Sequence, residues 1–304
     1  MVVNPPGTQY AALVKWLTHQ VFILRFRGPN PLRRTIKWVL SVVVITPHCH
    51  CGDHGFEPRR ARHLFWGGMK MNIVIPFRNT CGKEELDMCI KLIKKNLKIN
   101  YDNIYIIGDE VNQFKDSVIN IVVNEQKYNK WLDSNFLVKT YIETIGNPFI
   151  LFNDDFFLTE NVDTIPCYYF DTLQNRSLTT YVINEKINKL RLSTYGLNID
   201  SFLKRFGNFE NYEVHIPMII DYPSVMYEAI EQCNINDCPA LKRTMYIKLC
   251  EEKNFSNTIV EIKHDVKFNE PLRVIQYPFF SLTDNCEFKA FREKLEEIAD
   301  AREE

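Results

Sequence analysis

Phe149-Ile150-Leu151-Phe152-Asn153-Asp154-Asp155-Phe156-Phe157-Leu158 is the stretch on which the reading of this chain turns. Pro148 breaks what precedes it, four apolar residues then fit a buried parallel strand, and Asn-Asp-Asp supplies a polar C-terminal edge. In open α/β sheets ligands bind outside that edge, which makes the two adjacent carboxylates candidates for chemistry. The plain alternative is a polar turn from which Phe156 and Phe157 return to the core.

Upstream, residues 72–77 read as a short buried strand. Residues 83–98 read as an amphipathic helix with Leu86, Cys89, Ile90, Ile93 and Leu97 on one face. A second strand at 104–107 ends in Gly108-Asp109, a third spans 118–123, and 128–145 has helical periodicity stopped by Gly146-Asn147-Pro148. Downstream the pattern predicts helices near 184–192 and 199–206, a strand at 213–218 around His215, and helices at 223–233 and 240–253. A late strand at 273–280 and a charged amphipathic helix at 288–302 close the chain. Strands alternating with helices predict an α/β fold, a mostly parallel, right-handed sheet with helices on both faces.

With 304 residues, 45% of them hydrophobic and 13% aromatic, the chain can bury a sizeable core. Its net charge of -1 conceals two regions. Residues 1–70 hold ten Lys or Arg against Asp53 and Glu57, leaving 27 basic and 36 acidic residues in 71–304, which argues against nucleic-acid affinity there. Nine cysteines without a C-x-x-C pair suggest reduced thiols and a cytoplasmic location. The most apolar N-terminal run, 38–45, is shorter than the roughly 18 residues a membrane span needs, and no cleavable signal follows it.

Residues 1–70 are Arg-rich where the remainder is rich in Lys, Asn and Ile. Gly55-Phe56-Glu57-Pro58-Arg59-Arg60-Ala61-Arg62-His63 looks like the 3′ part of a transfer-RNA gene read as codons. The expectation is therefore a basic extension that is disordered or a spurious upstream translation, with the start at Met69 or Met71. A basic membrane-surface arm and a metal site in His48-Cys49-His50-Cys51 with His54 are the functional alternatives.

Asp154 and Asp155, with Asn153, are similar to the D-x-D arrangement that holds Mg²⁺ or Mn²⁺ against a nucleotide-sugar diphosphate, since hard cations prefer carboxylate oxygens. Asp109, ending a strand, is placed to touch a base or ribose, and Arg78 after the first strand to bind phosphate; a Gly-Asp turn and a solvated Arg are the plain alternatives. On residues alone His215 reads as a core histidine and Arg243 as a surface ion-pair partner. No P-loop, dinucleotide-binding, zincin or nucleophile-elbow pattern occurs.

In order along 71–270 these features resemble the Stealth family, the hexose-1-phosphate transferases of microbial capsule synthesis. Glu85-Leu86 and Ile104-Tyr105-Ile106-Ile107-Gly108-Asp109 look like its E-L-R-x-S-L-R-S-I helix and I-Y-I-V-T-D strand. Asp133-Ser134-Asn135 with Ile142-Glu143 looks like its F-N-S-x-x-I-E-S helix, and Leu151 to Phe157 is similar to its Y-F-N-D-D block. Val214-His215-Ile216-Pro217 resembles its H-x-P block and Lys242-Arg243-Thr244-Met245-Tyr246 its S-R-F-R or R-S-x-Y block. In place of the family's V-Y-T-W-V-D-G opening stands Asn-Ile-Val-Ile-Pro-Phe-Arg-Asn-Thr, 72–80, which resembles the start of GT-A glycosyltransferases.

The resemblance implies a GT-A-like fold over 71–304, with Asp154 and Asp155 as metal ligands and Asp155, His215 and Arg243 as catalytic residues. Arg78, Asp109 and Asn153 would lie on the nucleotide sugar. The expected activity is transfer of hexose-1-phosphate from a nucleotide-sugar donor to a hydroxyl of a glycan or other acceptor. Transfer of the sugar itself by a GT-A glycosyltransferase, and a non-catalytic sugar-binding domain, are the alternatives.

Overall fold

Alternation along the opening strand is what divides the core in two. In β1 (Met71–Phe77) Ile73, Ile75 and Phe77 join one buried cluster and Val74 the other. β2 (Tyr101–Gly108) repeats this with Ile104 and Ile106 against Tyr105 and Ile107. Because both faces are covered, such strands read as continuous apolar runs, as parallel strands under helices do.

The computed structural model describes residues 71–79, 83–114, 117–184, 189–255, 259–261, 267–268, 278–282 and 289–301, all in the unit Trp66–Glu304. The expectations for residues 1–70, His48 to Cys51 included, lie outside these, as does most of the strand expected at 273–280. Between the first strands runs α1 (Glu84–Asn96), followed by β3 (Ile119–Val122), α2 (Lys130–Thr144) and β4 (Phe149–Leu151). Asn129 caps α2, accepting from Trp131 N at 2.8 Å. Then come β5 (Phe156–Leu158), β6 (Cys167–Tyr169), α3 (Leu173–Thr179), β7 (Tyr181–Asn184), β8 (Lys189–Leu192) and α4 (Thr194–Phe206). The last third holds β9 (Met218–Ile220), α5 (Pro223–Ile235), α6 (Lys242–Glu252), β10 (Ile259–Glu261), β11 (Lys267–Phe268), β12 (Phe279–Leu282) and α7 (Lys289–Asp300).

The central sheet has the order β3-β2-β1-β4-β9, parallel except for β9, which runs antiparallel to β4. It is a mixed α/β sheet flanked by helices and compatible with a Rossmann-like fold. α1 and α7 pack on one face, α2, α5 and α6 on the other. The strand order reverses between β1 and β4, so their C-terminal ends flank the switch point at which such sheets bind ligands.

Gly108 lets β2 end there. Its φ is +137°, and a Cβ at that position would stand 2.0 Å from the carbonyl oxygen of Phe77. Only glycine permits this approach of β2 to β1.

After β4 the chain leaves the central sheet. β5 pairs antiparallel with β12, and β12 is parallel to β11, so Asn153-Asp154-Asp155 is the corner between two sheets. The helix expected near 184–192 is instead the antiparallel pair β7–β8. Tyr-Val-Ile is rich in the aromatic and β-branched residues strands favour and Lys-Leu-Arg-Leu alternates, and the helix begins only after Ser193, whose side chain accepts from Gly196 N at 3.0 Å. Among the described residues no helix is long and apolar enough to cross a membrane.

Candidate functional site

The corner after β4 is built by continuing the strand one residue too far for its sheet. Phe152 N donates to Val74 O at 2.9 Å, keeping the parallel register, and Phe156 N turns back to Asn153 O at 3.3 Å. Asp154 and Asp155 are partly exposed at the tip, while Phe152, Phe156 and Phe157 anchor it in the core. Asp155 is oriented by Ser281 of β12, whose hydroxyl donates to Oδ2 at 3.0 Å. Asn153 serves through its backbone, accepting from Cys89 Sγ of α1 at 3.5 Å.

Carboxylates gather at this corner. Burial, then the charge of Asp155 and that of Glu85, push Asp154 up to about 7. Glu85, on the first turn of α1, is itself raised by burial and by Asp155, and the buried thiol of Cys89 is raised by burial and by both aspartates. Asp154 and Glu85 are therefore harder to ionise here than in water, burial leading and the charge of Asp155 adding to it.

Opposite them stands the segment around His215. The strand expected at 213–218 begins only at Met218, because the earlier carbonyls have other partners. Arg243 Nη1 donates to Val214 O at 2.9 Å and Ile216 O at 2.7 Å, and Ile216 N closes a tight turn onto Val214 O at 2.9 Å. Glu213 Oε1 accepts from Arg243 N at 2.7 Å and Thr244 N at 3.0 Å, satisfying open donors at the start of α6. His215 thus sits on a loop braced by α6 and is no strand residue.

Phe156 joins the two sides. The Arg243 guanidinium lies 5.3 Å from its ring centroid, and the His215 ring meets it edge-on at 6.3 Å. Burial lowers the pKa of Arg243, while Glu213 and Asp155 counter this; a guanidinium remains charged regardless. His215 and Arg243 are accordingly neighbours around one ring, Arg243 feels the charge of Asp155, and Arg243 is buried rather than on the surface.

Arg78 and Asp109 form a separate cluster. Arg78 Nε and Nη2 grip Asp133 at 2.7 and 3.2 Å, Nη1 meets Asp109 at 2.9 Å and Val123 O, and Nη2 also reaches Glu125 O. Asp109 Oδ2 takes Asn79 N at 2.8 Å, and Asp133 Oδ1 takes Lys127 N at 2.8 Å. Hydrogen bonding to Asp133, then to Asp109, raises the pKa of Arg78 against the opposing effect of burial. All five N–H donors of the guanidinium are committed inside the protein, so a phosphate at Arg78 would have to displace a carboxylate or a carbonyl. This geometry makes Arg78 a clamp for the ends of β1 and β2 and the start of α2.

As a cation site, the corner offers oxygen donors. Among the described residues no group of three or more His, Cys, Asp or Glu is placed to hold a metal. Asp154 and Asp155 supply two carboxylates of the kind that hard cations such as Mg²⁺ or Mn²⁺ take, ions that complete their shells with water and substrate phosphate.

Two residues at the corner were not among the site residues expected from the sequence. Glu85 carried a signal, an acid in the first turn of the helix after the first strand, on the same side of the sheet. Ser281 carried none, lying 126 residues from its partner. Comparison with known proteins returns no matching family model and no matching curated protein.

Proposed function

We propose that residues 71–304 form a GT-A-like transferase using a nucleotide-activated sugar, and that it moves hexose-1-phosphate to an acceptor hydroxyl. The observation supporting this reading is that His215 and Arg243 both meet the ring of Phe156, the residue after Asp155, with the charge of Asp155 acting on Arg243, beside the switch point between β1 and β4. Residues from two distant parts of the chain, singled out through one resemblance, are adjacent in space.

In this reading Asp154 and Asp155 hold Mg²⁺ or Mn²⁺, which supplies charge neutralisation for the donor diphosphate. The acceptor hydroxyl attacks the phosphorus bearing the sugar, a phosphodiester forms, and the bond to the nucleoside monophosphate breaks. His215 or Asp155 takes the hydroxyl proton. Ser281 holds Asp155 in one orientation for that step. Arg243 contributes its positive charge beside Asp155 while keeping the His215 loop in place.

Arg243 also favours a second reading. Its Nη1 is spent on two carbonyls, which limits direct contact with a transferred phosphoryl group. Attack on the anomeric carbon, with the nucleoside diphosphate leaving, needs less of it. Incubating the full chain with a panel of nucleotide sugars, with and without Mg²⁺ or Mn²⁺, tests both. Release of nucleoside monophosphate is expected; nucleoside diphosphate would establish the second reading. Turnover unaffected by changing Asp154 and Asp155 to Ala would overturn both in favour of a binding domain.

A further inference from the structure

Two side chains from distant parts of the chain meet between the Arg78 cluster and the Arg243 brace. Lys242, the first residue of α6, donates from Nζ to Ser134 Oγ of α2 at 2.9 Å. Ser134 follows Asp133, which Arg78 grips, and Lys242 precedes Arg243, which holds the His215 loop. Both are partly exposed, whereas the residues on either side of each, Asp133 and Asn135, Leu241 and Arg243, are buried. Solvent therefore reaches these two side chains and not their chain neighbours.

The pair is rich in donors and poor in acceptors. An ammonium carries three N–H donors and no acceptor, and a hydroxyl adds one donor. Among the described residues Ser134 is the one hydrogen-bond partner of Lys242, and no carboxylate stands at ion-pair distance from it. The Ser134 hydroxyl accepts from Lys242 and has no acceptor for its own proton. Glu213 acts on Lys242 through its charge alone, its Oε1 being taken by Arg243 N and Thr244 N. Burial brings the pKa of Lys242 down to about 8, with Glu213 opposing and the charge of Arg243 adding to the fall. Lys242 also stands at a helix N-terminus, where negative charge is favoured. A cation short of acceptors beside a free hydroxyl proton suits an oxyanion. A cationic ligand would meet Lys242 and Arg243 with like charge, and an apolar one would leave the donors unsatisfied.

We propose that Lys242 and Ser134 bind a phosphate oxyanion of the diphosphate type, Nζ and Oγ donating to its oxygens. Lys242 thereby supplies the phosphate contact that Arg78, with every donor committed, does not. Assigning the anion to the nucleotide-sugar donor rests on the proposed transferase reading; the anion site itself does not.

The test titrates the full chain with inorganic pyrophosphate by isothermal calorimetry, in chelator and without divalent cation, so that neither metal binding at Asp154 and Asp155 nor turnover enters the readout. Saturable binding is expected below about 1 mM. K242M, close in length, should weaken it about tenfold or more, and S134A about threefold. K242M should not lower the melting temperature, because the charge it removes is one that burial disfavours. K94Q, on the exposed side of α1, should leave the affinity unchanged. Uridine diphosphate binding more tightly than pyrophosphate, and weakened by K242M, would assign the anion to a nucleotide; equal binding would assign it to free phosphate, and both outcomes uphold the site. No saturation by about 10 mM pyrophosphate, parent affinity in K242M, or parent affinity in S134A should K242M fail to fold, would overturn it.

Discussion

Two clusters of charge sit at the ends of neighbouring strands, and they are resolved in opposite ways. At the end of β1, Arg78 is surrounded by Asp109, Asp133 and two carbonyls, and every donor has an acceptor. At the end of β4, burial and the charge of Asp155 raise the carboxyls of Asp154 and Glu85, while Ser281 donates to Asp155 and the charge of Arg243 interacts with it. Neutralised charge of the first kind holds a fold together. Frustrated charge of the second kind costs stability and is kept where a cation or a proton is to be handled. Adjacent strand ends of one sheet thus hold one neutralised and one unneutralised set of charges.

The strongest attempt to break this contrast is Arg78→Ala. It strands Asp133 and Asp109 on a side chain only 11% exposed, and a loss of about 3–4 kcal/mol of stability is expected from the denaturant midpoint. Arg78→Lys should recover little of it, because one ammonium cannot meet acceptors on four sides. A loss below about 1 kcal/mol would move Arg78 back among candidate ligand contacts.

Asp155→Asn should show the reverse profile. Turnover in the nucleotide-release assay is expected to fall about a hundred- to a thousandfold, with the melting temperature unchanged or higher. If the variant instead unfolds, the corner is structural as well.

Asp154→Asn sharpens the contrast through pH. In the folded state Asp154 binds its proton up to about 7, far above its ordinary range, so between roughly pH 4 and 7 the folded chain holds more protons than the unfolded one. Its contribution therefore erodes stability as pH rises through that window and is absent below it. The variant should match the parent in melting temperature near pH 4 and exceed it at pH 8. Asp155, Glu85 and Cys89 face the same carboxyl, and Glu85→Gln should reproduce part of the gain.

The smallest effect is expected from Ser281→Ala. Losing one hydrogen bond to Asp155 should cost about 1–3 kcal/mol or less in stability, while turnover falls by about tenfold with a widened pH profile. A turnover loss matching that of Asp155→Asn would make Ser281 part of the chemistry.

Much of the scaffold is legible in the chain because its strands are apolar on both faces. The runs at 72–77, 104–107 and 149–151 leave few options but a buried sheet, and Gly146-Asn147-Pro148 marks where the helix before β4 must stop. The misreadings have local causes. The segment 184–192 has alternation and periodicity in conflict, and pairing of β7 with β8 decided the outcome. The segment 213–217 has strand-like composition, yet its carbonyls were claimed by a guanidinium 27 to 29 residues away. Arg78 and Arg243 show the same limit from the other side. Both are arginines beside polar residues in sequence, and nothing local tells a buried clamp from a solvated or ligand-binding one.

By itself the sequence determined the alternating strands and helices and the polar corner after a buried strand, because periodicity and chain-breaking residues act over a few positions. Only the tertiary structure decided that His215 and Arg243 meet the Phe156 ring, that Arg78 is consumed by Asp109 and Asp133, and that burial raises the carboxyl of Asp154. Burial and charge pairing are set by groups far apart along the chain, and local pattern carries no record of them.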